Sequence, residues 1–252
     1  MHILVSNDDG YNAPGLIVLA EALRNQHHKV TTIAPREDKS GCGMGLSLRR
    51  SVEVEQVSQD SFVVDGTPVD CVYLGLSNLV SDSVDLVLSG INNGPNLADD
   101  ILYSGTFAAA MEARRLAMPS IALSITQREV THYETAAYLA VKMVNALPHL
   151  NYRSLLAVLN VNVPDLPITE LRGIKATVLG EREAPAVCSL EQTNGAKSHY
   201  RLGAAGEFRP VKRSQPQDFE AVESRFASVT PLSSTLEDSA HVSDMQEWLD
   251  TF

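Results

Sequence analysis

The 252-residue sequence contains few cysteines, and their positions suit neither cross-linking nor zinc binding. Cys42, Cys71 and Cys188 are far apart, odd in number and form no C-x-x-C pair. This pattern excludes a zinc ribbon and a disulfide framework. Because reduced thiols are typical of the cytoplasm, we predict a cytoplasmic protein. The opening residues "MHILVS" lack a signal-peptide pattern, which agrees with that prediction.

Long hydrophobic runs and positive charge are also scarce. No apolar run approaches the roughly 18 residues of a membrane span. The 20 Lys and Arg residues are outnumbered by 31 Asp and Glu residues, which gives a net charge of −11. Such a surface repels nucleic-acid polymers and anionic membranes, so we expect neither as a partner. A small anionic substrate is compatible with this charge if a bound cation reverses its sign locally.

The sequence does contain a regular alternation of short apolar runs and helical patterns. This alternation predicts an α/β fold of the Rossmann-like type, in which helices wrap a mostly parallel sheet. The predicted strands span residues 2–6, 29–35, 85–90, 120–125 and 155–164, and the predicted helices span residues 13–25, 106–118 and 131–147.

The composition changes near residue 180. We therefore predict an α/β core over residues 1–180, followed over residues 181–252 by a hairpin and a C-terminal arm that ends in a short helix at 244–250. The second segment is polar and rich in Gly and Pro, with too few apolar residues for a core of its own. We treat the whole as one domain and expect the arm to pack on another subunit, giving a homodimer or homotetramer.

Four oxygen-rich loops follow the predicted strands. They read "NDDG" (7–10), "REDKSGCGMG" (36–45), "GINNGPN" (90–96) and "YSGT" (103–106). Ligands of open parallel sheets bind beyond the carboxyl ends of the strands. We therefore expect all four loops to meet at one edge of the sheet.

Each loop alone allows two interpretations. Asp8 and Asp9 suit a hard cation such as Mg²⁺, Mn²⁺ or Ca²⁺, but an Asp-rich turn is the commoner reason for such a tetrapeptide. "GINNGPN" fits a polar ligand site and a Gly/Asn-rich loop equally well. "YSGT" offers a capped helix N-terminus that suits an anion, although every capped helix shares part of this pattern.

Several catalytic templates are missing. The sequence has no Walker lysine motif, no G-x-G-x-x-G, no G-x-S-x-G elbow and no histidines at metal-ligand spacing. An aspartyl-phosphate phosphatase of the haloacid dehalogenase type needs two Asp separated by one residue, whereas Asp8 and Asp9 are adjacent.

Taken in order, the motifs closely resemble the survival protein SurE family. The resemblance is carried by "ILVSNDDGYNAPGL", "DGTPVDCV", "SGINNGPNLADDILYSGTFAAAMEA", "NVNVPDLP" and "SVTPL". It runs from residue 2 to about 167 and returns near 228. The resemblance implies a Rossmann-like core with a C-terminal hairpin and arm used in dimer or tetramer assembly.

The family resemblance also implies an activity and a site. It implies a metal-dependent phosphatase of nucleoside 5′- and 3′-monophosphates, with one divalent ion, Mn²⁺ or Mg²⁺, per subunit; some members of the family also act on short polyphosphate. Asp8 and Asp9 are the implied catalytic residues, each as metal ligand, water-orienting group or nucleophile. The implied metal ligands are Asp8, Asp9, Ser40 and Asn92, and the implied phosphate or substrate contacts are Gly41, Asn96, Ser104, Gly105 and Thr106.

Two positions depart from the family pattern. Met44 replaces an expected polar side chain, and Arg225 stands where Gly is usual. The Met44 departure gives weight to a second hypothesis, a non-catalytic nucleotide-binding protein that has kept the cleft. Retention of all four implied metal ligands favours the phosphatase.

Overall fold

The computed structural model describes residues 1–150, 157–236 and 239–250. Its strands are β1 His2–Ser6, β2 Lys29–Pro35, β3 Val54–Ser58, β4 Ser61–Val64, β5 Leu86–Asn93, β6 Ser120–Ile125, β7 Val158–Val163, β8 Ile174–Ala176, β9 Ser189–Asn194, β10 Lys197–Arg201 and β11 Ala227–Leu232. Its α-helices are α1 Pro14–Arg24, α2 Pro68–Leu74, α3 Gly105–Glu112, α4 Tyr133–Ala146, α5 Asp218–Glu223 and α6 Val242–Leu249. Short helices of other types cover Gly75–Leu79, Ala98–Tyr103, Leu147–His149 and Ser239–His241.

One sheet of nine strands organises the core, in the order β3-β4-β2-β1-β5-β6-β7-β11-β8. The six central strands from β4 to β7 run parallel to one another. β3 and β11 join antiparallel to their inner neighbours. The predicted mostly parallel α/β fold is confirmed.

Alternation along β1 explains the three layers, because successive side chains of a strand point to opposite faces of a sheet. Ile3 and Val5 pack in one buried cluster with α1 and α4 residues such as Leu16 and Leu139. Leu4 lies in a separate cluster on the other face, with side chains of α2 and α3. A strand that is buried on both faces has a continuous run of apolar residues in its sequence, as β1 has in "ILV".

Several element boundaries differ from the sequence-based expectation. The predicted helix at 106–118 ends at Glu112, and the strand predicted at 85–90 extends to Asn93. β3 and β4 were not predicted. β3 is an edge strand that is mostly exposed and polar, and β4 has only four residues. Residues 155 and 156 of the predicted fifth strand lie outside the described residues.

The C-terminal segment also departs from the predicted arm. β11 pairs with β7 over Ser228–Leu232 and with β8, so part of the segment 181–252 completes the core sheet. Arg225, just before β11, has a φ of 64°, a conformation in which Gly is favoured. The expected hairpin is present as β9 and β10, which pair with each other outside the main sheet. Within the described ranges, no helix is long and apolar enough to cross a membrane.

Candidate active site

The order of the strands decides where the polar loops meet. From β1 the chain continues to β2 on one side, and β5 pairs with β1 on the other side. Such a reversal of strand order opens a crevice at the carboxyl ends of the strands. Asp8 and Asp9 directly follow β1, and Asn92 lies at the end of β5. The crevice therefore lies between the loop that carries Asp8 and Asp9 and the loop that carries Asn92.

A cavity of about 620 Å³ occupies this crevice. All four predicted metal ligands line it, and so do three of the predicted substrate contacts. The expected convergence of the loops is thus observed. The predicted site residues along the cavity are Asp8, Asp9, Ser40, Gly41, Asn92, Asn96 and Ser104.

Asp8 is held from behind by the start of α3. It is 4% exposed, and the Thr106 hydroxyl donates to its Oδ1 at 2.5 Å. Gly105 leaves room for this approach, since a Cβ at that position would come within 2.8 Å of the Asp8 Cβ and Oδ2. Thr106 and Gly105 are buried and lie outside the cavity lining. The structure therefore places these two predicted phosphate contacts as supports of Asp8.

Burial disfavours the ionised form of both carboxylates. It raises the pKa of Asp8, although the hydrogen bond from Thr106 partly offsets that rise. Burial also raises the pKa of Asp9 to about 6, and the neighbouring Asp8 charge adds to the increase. Two carboxylates kept close in a partly desolvated site favour a cation, because it relieves both the desolvation and the repulsion.

The remaining oxygen donors are arranged to face the same cavity. The Asn92 amide nitrogen donates to the Gly94 carbonyl at 2.8 Å, which leaves the Asn92 side-chain oxygen for the cavity. The Ser40 hydroxyl donates to Asp38 at 2.6 Å, so its oxygen retains lone pairs. Among the described residues, no cluster of three or more His, Cys, Asp or Glu side chains is arranged to hold a metal, so the two carboxylates here would be completed by the neutral oxygens of Ser40 and Asn92. This all-oxygen donor set, half of it uncharged, fits a hard divalent cation such as Mg²⁺ or Mn²⁺.

A buried clamp on β7, which sequence reasoning missed, fixes the Asn96 loop. The Asn160 and Asn162 side chains donate to the Asn96 carbonyl at 2.9 and 3.0 Å. Asn162 also accepts from the Asn96 N–H at 2.8 Å, and the Asn96 amide donates to Ser124 at 2.8 Å. Polar residues at buried positions of the run "VLNVNV" were the available signal.

Two arginines along the cavity were also missed. Arg182 is paired with Asp100, with Nε 2.8 Å from Oδ1. Arg128 follows β6, lines the cavity and is exposed, and no ion pair to it is found among the described residues. Arg128 therefore supplies positive charge to the cavity without a direct ion pair to a described carboxylate.

Comparison with known proteins agrees with this geometry. Residues 3–185 match the model of the family described as "Survival protein SurE". The chain belongs to the SurE family. It is 40% identical over 258 residues to the 5′-nucleotidase SurE of Xylella fastidiosa (strain M12), covering 99% of this chain and 96% of that protein. Its identity to the 5′-nucleotidase SurE of Actinobacillus pleuropneumoniae serotype 5b (strain L20) is 42% over 263 residues, with full coverage of both.

A solved SurE structure extends the likeness to the fold. The crystal structure of the SurE protein from Aquifex aeolicus superposes with a TM-score of 0.85 at 37% identity, covering 99% of this chain and 100% of that one. The predicted family and fold class are confirmed. Met44, one of the two departures from the family pattern, is 54% exposed and lies outside the cavity lining.

The raised pKa of Asp9 predicts a pH-dependent loss of stability in metal-free protein. Asp9 has a pKa of about 6 when folded and about 3.9 when unfolded. Between these values the folded state binds more protons, so stability falls as pH rises. We expect Asp9→Asn to be more stable than wild type at pH 7.5 in chelator, with the difference shrinking by pH 5. Urea unfolding at both pH values measures this.

The matched control for this prediction is Asp82→Asn. Asp82 carries an exposed carboxylate whose pKa is lowered by Lys29, so its removal should not stabilise the protein at high pH. An equal stability difference between wild type and Asp9→Asn at both pH values would contradict the prediction.

Proposed function

We propose that this SurE-family protein is a divalent-metal-dependent phosphomonoesterase of nucleoside 5′- and 3′-monophosphates. The proposal is carried by one observation. The buried carboxylate of Asp8, the partly buried carboxylate of Asp9, two neutral oxygen donors and the capped start of α3 converge on one cavity at the carboxyl edge of the sheet. The naming of full-length relatives as 5′-nucleotidases supports the nucleotide as substrate.

Asp8, Asp9, Ser40 and Asn92 would hold the cation. When bound, a divalent cation neutralises phosphate oxygens and activates water for hydrolysis. Asp8 is fixed by Thr106, and Asp9 is fixed by the Asn93 N–H, which donates to its Oδ2 at 3.1 Å. Both carboxylates are therefore oriented before any ligand arrives, which lowers the cost of assembling the site.

The phosphate would lie against the start of α3. The Ser104 oxygen accepts from the Phe107 N–H at 3.0 Å, so the Ser104 hydroxyl hydrogen remains available to a phosphate oxygen. Asn96 uses one amide hydrogen on Ser124 and keeps the other for the cavity. Arg128 adds a positive charge to the lining of the same cavity. These donors match the charge that builds on the equatorial oxygens during phosphoryl transfer.

Short polyphosphate is the implied substrate that this site favours least. The cavity is lined by four carboxylates, those of Asp8, Asp9, Asp38 and Asp100, against two arginines. A single phosphate beside a bound cation is neutralised, but further phosphates of a chain would lie beside uncompensated acidic groups.

Phosphate release from a panel of substrates tests the proposal. The protein is stripped with chelator, reloaded with Mn²⁺ or Mg²⁺, and assayed on nucleoside 5′- and 3′-monophosphates and on tripolyphosphate. We expect activity on the monophosphates that depends on added metal and exceeds that on tripolyphosphate. Absence of turnover with every metal and nucleotide, in protein shown to be folded, would favour a nucleotide-binding protein without catalysis.

We further propose a cytoplasmic homodimer or homotetramer formed through the C-terminal segment. α6 buries none of its side chains in the single chain, and Val242 and Met245 are 63% and 55% exposed. An amphipathic helix left uncovered in one chain is typical of a subunit interface. Light scattering during gel filtration measures the mass of the protein in solution. A mass equal to that of one chain would contradict the proposal.

A further inference from the structure

Asn93, the last residue of β5, contacts both Asp9 and the first residue of α4. Its backbone N–H donates to Asp9 Oδ2 at 3.1 Å, and its side-chain oxygen accepts from the Tyr133 hydroxyl at 2.7 Å. Asn93 also lines the proposed active-site cavity. Resting on the proposed function, we infer that the Asn93 side-chain amide is a further phosphate-binding group, and that Tyr133 is the positioning residue that orients it.

The Asn93 side chain keeps its hydrogen-bond donors free. An Asn side chain offers one oxygen acceptor and two N–H donors. The oxygen is engaged by Tyr133, and no partner of the amide nitrogen is found among the described residues. Because Asn93 is only partly buried and lines the cavity, both donors are open to a ligand there. Free donors beside a cavity suit an anion, and a phosphate oxygen is a strong acceptor for them.

The position of Asn93 places these donors beside the proposed cation. Its backbone N–H fixes Asp9, and the preceding residue, Asn92, is a proposed ligand of the same ion. A phosphate held by that ion therefore lies within reach of the Asn93 side chain. Ser104 approaches the same cavity from the start of α3. The phosphate would thus receive hydrogen bonds from two different elements of the fold.

Tyr133 is itself held in place by the surrounding fold. Its ring packs against the buried cluster of α1 and α4 side chains, and the preceding His132 N–H donates to Asp165 at 2.7 Å. Burial raises the pKa of the Tyr133 hydroxyl, and the nearby charge of Asp9 adds to the rise. The hydroxyl therefore stays protonated and can donate to Asn93. An amide that is oriented beforehand loses less rotational freedom when it binds a phosphate.

Steady-state kinetics on AMP test both roles. We expect Asn93→Ala to lower kcat/KM by about 10-fold or more, the scale of one hydrogen bond to a charged group. Tyr133→Phe keeps the packed ring and removes only the hydroxyl, so we expect a smaller loss of about 2- to 10-fold, the scale of a neutral hydrogen bond. The Mn²⁺ affinity of both variants should equal that of wild type, because the backbone N–H that fixes Asp9 is retained.

A double-mutant cycle separates orientation of Asn93 from packing of Tyr133, because residues that act through one another are not additive. Tyr133→Phe should cause no further loss in the Asn93→Ala background. The matched controls, Tyr138→Phe and Asn145→Ala, change exposed side chains of α4 outside the cavity and should keep the wild-type kcat/KM. Thermal melting in chelator shows that each variant is folded.

Three kinetic results would overturn the inference. The first is a wild-type kcat/KM in Asn93→Ala. The second is a Tyr133→Phe loss that persists in full in the Asn93→Ala background, since Tyr133 would then act by another route. The third is weaker Mn²⁺ binding in Asn93→Ala, which would assign Asn93 to the support of the metal ligands.

Inorganic phosphate gives a readout that does not depend on turnover. Broadening of its ³¹P NMR signal measures binding to the Mg²⁺-loaded protein, and we expect weaker binding in Asn93→Ala than in wild type. If wild type hydrolyses no nucleotide, the phosphatase proposal fails, yet phosphate binding that Asn93→Ala weakens would still support the inference. Phosphate binding that is absent in wild type, or equal in wild type and Asn93→Ala, would overturn it.

Discussion

Replacing Asp8 by Asn is expected to lower metal-dependent phosphate release by more than about 100-fold, since loss of groups that merely support metal ligands already costs 10–100-fold. Asn keeps the shape of Asp and can still accept from Thr106, so the change removes charge with little disturbance of packing. The carboxylate lost is 4% exposed and lines the cavity beside Asp9. We expect weaker Mn²⁺ binding, measured by electron paramagnetic resonance, together with the loss of activity.

Asp82→Asn is the matched control for Asp8→Asn, because Asp82 is an exposed carboxylate paired with Lys29. It should retain wild-type activity and Mn²⁺ affinity. Thermal melting in chelator shows that both variants are folded. Activity of Asp8→Asn within tenfold of wild type at saturating Mn²⁺ would show that the essential catalytic centre does not depend on Asp8.

Thr106→Val is expected to lower activity by about 10–100-fold, the range found for groups that orient a metal ligand. Valine fills nearly the same volume but removes the hydroxyl that donates to Asp8 Oδ1. The buried carboxylate then loses a partner and gains freedom to rotate. Assays across Mn²⁺ concentrations should show the loss as weaker apparent metal affinity in addition to lower turnover.

Thr106→Ser tests whether the hydroxyl matters rather than the packing of Thr106. Serine removes the methyl group and keeps the donor, so activity should return to within a few-fold of wild type. If the Ser and Val variants lose activity equally, Thr106 acts through packing alone. A phosphate-binding role would instead raise KM for nucleotides without changing Mn²⁺ affinity.

The structure bears differently on the two rival hypotheses. Asp8 and Asp9 are adjacent, and each is held by a separate donor, Thr106 and the Asn93 N–H. This arrangement differs from the one-residue separation that a haloacid dehalogenase-type phosphatase needs. The hypothesis of a non-catalytic binding protein depended on Met44, which lies outside the cavity lining. The assay of metal-dependent phosphate release decides between this hypothesis and the phosphatase.

The sequence alone determined the chemistry available to this protein. Continuous apolar runs such as "ILV" predicted buried parallel strands, because both faces of such strands are covered. The loops after them contain Asp8, Asp9, Asn92 and Ser104, which the fold class predicted at one edge. These inferences needed only local patterns and the rule that parallel strands end together.

The tertiary structure decided what each side chain does at that edge. Thr106 supports Asp8 across 98 residues, Asn162 holds the Asn96 backbone across 66, and Arg182 pairs with Asp100 across 82. The helix start at Ser104 could equally have aimed Thr106 at a phosphate. Contacts between residues so far apart depend on packing angles and depths that local sequence patterns do not specify, and only the folded chain sets them.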